Sequence, residues 1–142
     1  MRTIMSVFLV TISFITANAF AASSKNSEMK EVLGSYLKIQ EALSSDSLDQ
    51  VQIEAAKIVK RATDKEIKAP ALSLSHATTL DAARGDFKRL SVAMDNWAAE
   101  AKPEGVQRMT CSMANAPWLQ KRGEIKNPYY GKQMLSCGEV QK

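Results

Sequence analysis

Histidine occurs once in this 142-residue chain, at position 76, and cysteine twice, at positions 111 and 137. The chain also lacks a G-x-S-x-G elbow, an H-E-x-x-H helix and a glycine loop able to cradle phosphate. The usual acid–base and nucleophile sets cannot be assembled from what is left, so no enzyme is expected. Beyond its first residues the chain has no apolar run approaching the roughly 20 residues that a spanning helix needs. Clusters of basic residues are missing as well. Arg108, Lys121, Arg122, Lys126 and Lys132 are scattered among other residues, which reads as solvated surface and not as a nucleic-acid interface.

What is present begins with a leader. Met1-Arg2 is a short positive region, and an apolar run from Ile4 to roughly Ile15 follows it. Small residues in Ala17-Asn18-Ala19-Phe20-Ala21 then meet the rule for signal cleavage. Cuts after Ala19 and after Ala21 both fit; the second is preferred, because Ser23-Ser24-Lys25-Asn26 turns polar at once. No cysteine lies near either cut, so a lipoprotein anchor is not expected. The expectation is a cleaved signal peptide over residues 1–21 and one exported, periplasmic domain over residues 22–142, with no membrane association after cleavage. A domain of that size buries roughly two-thirds of its unfolded surface.

Charge and texture both change partway along this domain. Residues 22–101 carry 11 Lys/Arg against 12 Asp/Glu, whereas residues 102–142 carry 7 against 3. In the first part, Met29, Val32, Leu33, Tyr36, Leu37 and Leu43 recur at helical spacing. Ser47-Leu48-Asp49-Gln50 has the form of a capping box opening a second helix with Val51, Ala55, Ile58 and Val59 on one side. Residues 64–77 are ambiguous, since Pro70 suits the first turn of a short helix but not its interior. Thr78-Thr79-Leu80-Asp81 is a second plausible cap, opening the strongest stripe, Leu80, Ala83, Phe87, Leu90, Met94, Trp97 and Ala101, which Lys102-Pro103-Glu104-Gly105 stops. The expected fold is all-α: a small up-and-down helical bundle over residues 22–105, with an irregular C-terminal segment, 106–142, packed on it. The Met and aromatic residues of the stripes are assigned to its core.

The C-terminal segment holds both cysteines, three of the seven methionines, Trp118 and the adjacent Tyr129 and Tyr130. A long loop of this kind is usually functional or disordered, and this one is too rich in aromatic and sulfur residues to be disordered. The aromatic residues read as anchors docking the segment on the bundle, or alternatively as walls of a site. Two short motifs carry the chemistry, Cys111-Ser112-Met113 and Met134-Leu135-Ser136-Cys137. Brought together, they would offer two thiolates and two thioethers, soft donors that select Cu(I) over hard cations. The competing reading is a disulfide, the usual fate of two cysteines in an exported domain. Closing a loop of about 26 residues would contribute roughly 3.5 kcal/mol by chain entropy. His76, near a helix boundary, reads as a surface or capping residue, although a Cys2His zinc site is formally open.

The run Cys111-Ser112-Met113-Ala114, Trp118-Leu119-Gln120, Glu124-Ile125, Asn127-Pro128-Tyr129-Tyr130-Gly131, Met134 and Cys137-Gly138-Glu139-Val140 resembles a bacterial family of uncharacterised exported domains. Members of that family stand alone or form C-terminal extensions of the periplasmic adaptor subunits of CusB-like heavy-metal efflux pumps. The helical part is similar more loosely, through Tyr36-Leu37, Gln40-Glu41-Ala42-Leu43, Ala83-Arg84, Phe87 and Leu90-Ser91. Where the family pattern has Cys-Pro-Met, this chain has Ser112 between its two sulfurs. The resemblance implies a link to copper or related heavy metals. The resulting expectation is a metal-binding or metal-delivery protein holding Cu(I) at Cys111, Met113, Met134 and Cys137. Its partner would be an efflux adaptor or another copper protein. The alternative is an interaction module stapled by a Cys111–Cys137 disulfide, acting on an export system.

Overall fold

The computed structural model describes residues 15–141, with side chains from Ser23 onward. The expected leader and its cuts after Ala19 or Ala21 fall on residues 1–14, outside the described residues, and on 15–22, where only the backbone is described. No helix among the described residues is long and apolar enough to cross a membrane.

Helix α1, Ile15–Ser44, buries Met29, Val32, Leu33, Tyr36, Ile39 and Leu43 along one face, as its spacing of three and four residues requires. A tight turn with Asp46 and Gln50 at positive φ leads into α2, Val51–Arg61. The expected capping box does not form. Left-handed Gln50 delays the helix start to Val51, so Ser47 Oγ accepts from the Asp49 N–H at 2.9 Å and caps only a local turn. Helix α3, Lys65–Leu74, opens on Asp64, whose carboxylate accepts the Glu66 N–H at 2.9 Å. Pro70 sits inside this helix, contrary to the first-turn expectation. The carbonyl its missing N–H would have served belongs to exposed Glu66, where water can take the bond, and the ring is buried beside Ile67, Ala71 and Leu74. Helix α4, Leu80–Ala101, is capped by Thr79 Oγ1 on the Ala82 N–H and ends at left-handed Lys102. Its expected stripe is buried from Ala83 to Met94. Near the end, Ala98 replaces Ala101, which is exposed, and Trp97 is only half-buried.

The C-terminal segment is irregular only in part, and the fold is α+β, not all-α. Val106–Cys111 forms β1, Ala116–Lys121 forms β2 and Glu139–Val140 forms β3, joined as an antiparallel sheet in the order β2-β1-β3. Two features hid the sheet from a periodicity reading. Strand β2 is buried at three consecutive residues, Trp118, Leu119 and Gln120, so it shows no alternation. It also contains Pro117, which a strand tolerates at a sheet edge, and β2 is an edge.

The sheet is tied to the bundle by buried polar and aromatic contacts. The Leu119 N–H donates to Tyr36 Oη at 3.1 Å, and Tyr36 Oη lies 2.6 Å from Ser91 Oγ, so one hydroxyl joins α1, α4 and β2. Tyr36→Phe should therefore cost about 1–2 kcal/mol in urea unfolding, because it leaves a buried N–H and a buried hydroxyl short of partners. A change near zero would mean that the strand is held by packing alone. Tyr36 stacks on Phe87 at 4.8 Å, Phe87 meets Tyr129 at 6.2 Å, and Tyr129 meets Trp118 edge-on at 6.0 Å. Arg108 of β1 grips the Asp95 carboxylate of α4 with two bonds of 2.8 Å.

Candidate functional site

Cys111 is the last residue of β1, and Cys137 lies two residues before β3. The pairing of Thr110 with Glu139, continued by one step, sets Cys111 opposite Gly138. That glycine is required by close packing: a Cβ there would fall 2.3 Å from Trp118 Cη2. The ring thus lies directly against the backbone that follows Cys137.

Asn127 controls the loop that returns Cys137 to the sheet. It is fully buried, and each of its hydrogen-bonding groups has a partner. Its side-chain amide donates to the Cys137 carbonyl at 2.7 Å, and its side-chain oxygen accepts the Tyr129 N–H at 2.8 Å. Its backbone N–H reaches the Leu135 carbonyl at 2.8 Å, and its own carbonyl accepts from Gly131 at 3.2 Å. The sequence marks Asn127-Pro128 only as a turn, and its role as the clasp of this loop was missed. Asn before Pro was the only signal at hand, and it predicts a turn but not burial. Gln120 does a similar task, with its side-chain oxygen accepting from Trp118 Nε1 and from the Lys126 N–H, both at 3.0 Å.

The outcome is a thiol pair. Cys111 Sγ and Cys137 Sγ are 3.8 Å apart and both are free. Cys111 is 1% exposed, whereas Cys137 is half-buried. Burial pushes the Cys111 thiol up, but hydrogen bonds from the Ala114 N–H, Asn127, Cys137 and the Met113 N–H outweigh it and hold the thiol below its ordinary value. Of these, the Ala114 N–H stands 3.4 Å from the sulfur. Cys137 is shifted the other way. Its bond to Cys111 retains its proton, with burial and the charge on Cys111 adding to the effect.

Two of the remaining sulfurs, Met113 and Met134, lie close to the cysteines in sequence. Met113 lies in the β1–β2 turn and is 61% exposed, and Met134 ends the short 3-10 helix Gly131–Met134 just before Cys137. Met109 is fully buried in the core. His76 is exposed at the end of α3, with Nδ1 2.9 Å from the Leu72 carbonyl. Among the described residues no three His, Cys, Asp or Glu side chains gather as a metal site, so the Cys2His zinc arrangement is not formed. Of the described basic residues from position 102 onward, Arg108 is paired with Asp95 and Lys126 with Glu41, while Lys102, Lys121, Arg122 and Lys132 are exposed. Trp118 and Tyr129 are buried, so they anchor the segment as the simpler sequence reading expects. No protein-family model, no curated protein and no solved structure matches this chain.

Proposed function

We propose that this domain binds a soft metal ion outside the cytoplasm, taking Cu(I) between Cys111 and Cys137, and passes it to a metal-export partner. The observation that carries the reading is the 3.8 Å separation of two free thiols. Two thiolates on one tetrahedral centre, at the bond length of about 2.3 Å usual for zinc, stand about 3.8 Å apart. Zinc in a structural site wants four such donors, and the described residues bring no third His, Cys, Asp or Glu to the pair. A soft ion served by thiolates with thioether support is the better fit. Met113 and Met134, two and three residues from the thiols in sequence, would be the supporting donors. The leader-like N-terminus supports export, and the resemblance of residues 111–140 to domains fused to efflux adaptors supports the choice of partner. The exposed Lys102, Lys121, Arg122 and Lys132 offer that partner a basic surface.

The test is an anaerobic Cu(I) titration of the reduced protein against a chromogenic chelator. One ion per chain is expected. Cys111→Ser or Cys137→Ser should weaken binding by more than the roughly 10–100-fold typical of losing an outer partner. Unchanged affinity in both variants would overturn the assignment.

The burial of Cys111 favours a second reading, a structural disulfide in an interaction module of an export system. On that reading the same serine variants lower the melting temperature and leave copper tolerance untouched.

A further inference from the structure

The two sulfurs differ in ways that metal binding alone does not require. Cys111 is sealed at 1% exposure and receives the Ala114 N–H at 3.4 Å, whereas Cys137 is half-buried at the surface. The backbone of Cys137 is held on both sides, its N–H on the Met134 carbonyl at 3.0 Å and its carbonyl by Asn127 at 2.7 Å. Its backbone is therefore held in place, with the sulfur 3.8 Å from Cys111 Sγ. The segments carrying the pair also expose Met113 at 61%, Leu135 at 38% and Val140 at 57%, an apolar set that suits a polypeptide better than a small charged thiol.

We propose that the pair is a thiol–disulfide exchange site of fixed polarity, in which Cys137 attacks an exposed disulfide of a polypeptide partner and Cys111 resolves the product. In the first step Cys137 gives its proton to water and its Sγ bonds to one partner sulfur, while the partner's other sulfur leaves as a thiolate and takes up a proton from water. In the second step Cys111 gives its proton to water and its Sγ attacks Cys137 Sγ across the 3.8 Å gap. The bond from Cys137 to the partner breaks, and the partner's first sulfur leaves as a thiolate and takes up a proton from water. Two electrons pass from the domain to the partner and two protons are exchanged through water, so the partner ends as a dithiol while the domain ends as a disulfide. Reversal of both steps reduces the domain again.

Exchange does not depend on the metal reading. One consequence does rest on it: an oxidised domain has no thiolates to offer Cu(I), so oxidation and loading exclude each other.

The experiment reacts the reduced, metal-free protein with a disulfide-bridged peptide bearing apolar flanks, and with oxidised glutathione, reading adducts by mass after acid quench. Wild type should become an internal disulfide with no lasting adduct. Cys111→Ser should accumulate peptide on Cys137, and Cys111→Ala serves as a second variant should a buried serine hydroxyl unfold the sheet. Cys137→Ser should react at least about 10-fold more slowly, because only the sealed sulfur remains. Equal rates in the two single variants, or a wild-type adduct as durable as that of Cys111→Ser, would overturn the polarity. Glutathione reacting as fast as the peptide would overturn the polypeptide partner. Cu(I) affinity is measured separately, so loss of the metal reading and loss of this one give different results.

Discussion

Trp118→Ala should lower stability by about 4 kcal/mol in urea unfolding, near the upper part of the range for a large aromatic removed from a core. Trp118 is fully buried in β2, meets Tyr129 edge-on at 6.0 Å and donates from Nε1 to Gln120 at 3.0 Å. Truncation would open a cavity between the sheet and the loop and leave Gln120 with one donor fewer. Its ring also backs Gly138, where even a single added carbon would fall 2.3 Å from Cη2. Without that wall the backbone after Cys137 can move inward and carry the thiol out of register with Cys111. Cu(I) affinity should therefore fall together with stability, although no metal donor has been changed. A loss below about 1.5 kcal/mol would mean that the sheet collapses into the space, which large-to-small changes permit when the surroundings relax.

Gly131→Ala is the second large effect, expected at about 3 kcal/mol and read from the urea midpoint at constant slope. Gly131 has φ of +54°, and a Cβ there would sit 1.9 Å from Asp46 Oδ1 and 2.6 Å from Arg84 Nη2. Those atoms belong to a latch. Arg84 of α4 pairs with Asp46 at 2.6 Å and donates to the carbonyls of Leu43 and Pro128 at 3.1 and 3.0 Å. The Lys132 N–H completes it at 3.1 Å from Asp46 Oδ2. Bonds from Arg84 and the Lys132 backbone hold the Asp46 carboxyl below its ordinary range. One methyl group at Gly131 would thus disturb contacts among the α1–α2 turn, α4 and the C-terminal loop at once. A double-mutant cycle with Asp46→Ala separates the causes in part, since removing the carboxylate relieves the closest contact but neither the one to Arg84 nor the left-handed backbone. An unchanged penalty in the Asp46→Ala background would assign the cost to φ and Arg84, not to the carboxylate.

The helical half of the molecule was legible because each helix buries one stripe, and burial at intervals of three and four residues is written in the order of side chains. Met29 to Leu43 and Ala83 to Met94 follow that rule, and the cap of α4 lies within the expected run Thr78-Thr79-Leu80-Asp81, at Thr79. The exceptions are local. Ser47 lost its cap to a left-handed Gln50, and Pro70 entered a helix interior because the carbonyl it leaves free belongs to an exposed residue. The sheet was not legible. Its β2 edge strand is buried on both sides, and the β3 strand is two residues long, so neither carries a period that a window could detect.

The same division runs through the candidate site. By itself the sequence determined which atoms are available: two thiols, the thioethers beside them, one remote histidine, and the aromatic anchors of residues 106–142. Residue type is a local property, and donor softness follows from it. Only the tertiary structure decided that Cys111 and Cys137 lie 3.8 Å apart, that one is sealed and the other half-open, and that Asn127 holds the loop between them closed. Those facts depend on strand register and on a buried amide 10 residues from the carbonyl it holds. Such pairings are chosen by the packing of the sheet against α1 and α4, an energy shared among residues far apart in the chain, and no short stretch of sequence contains it.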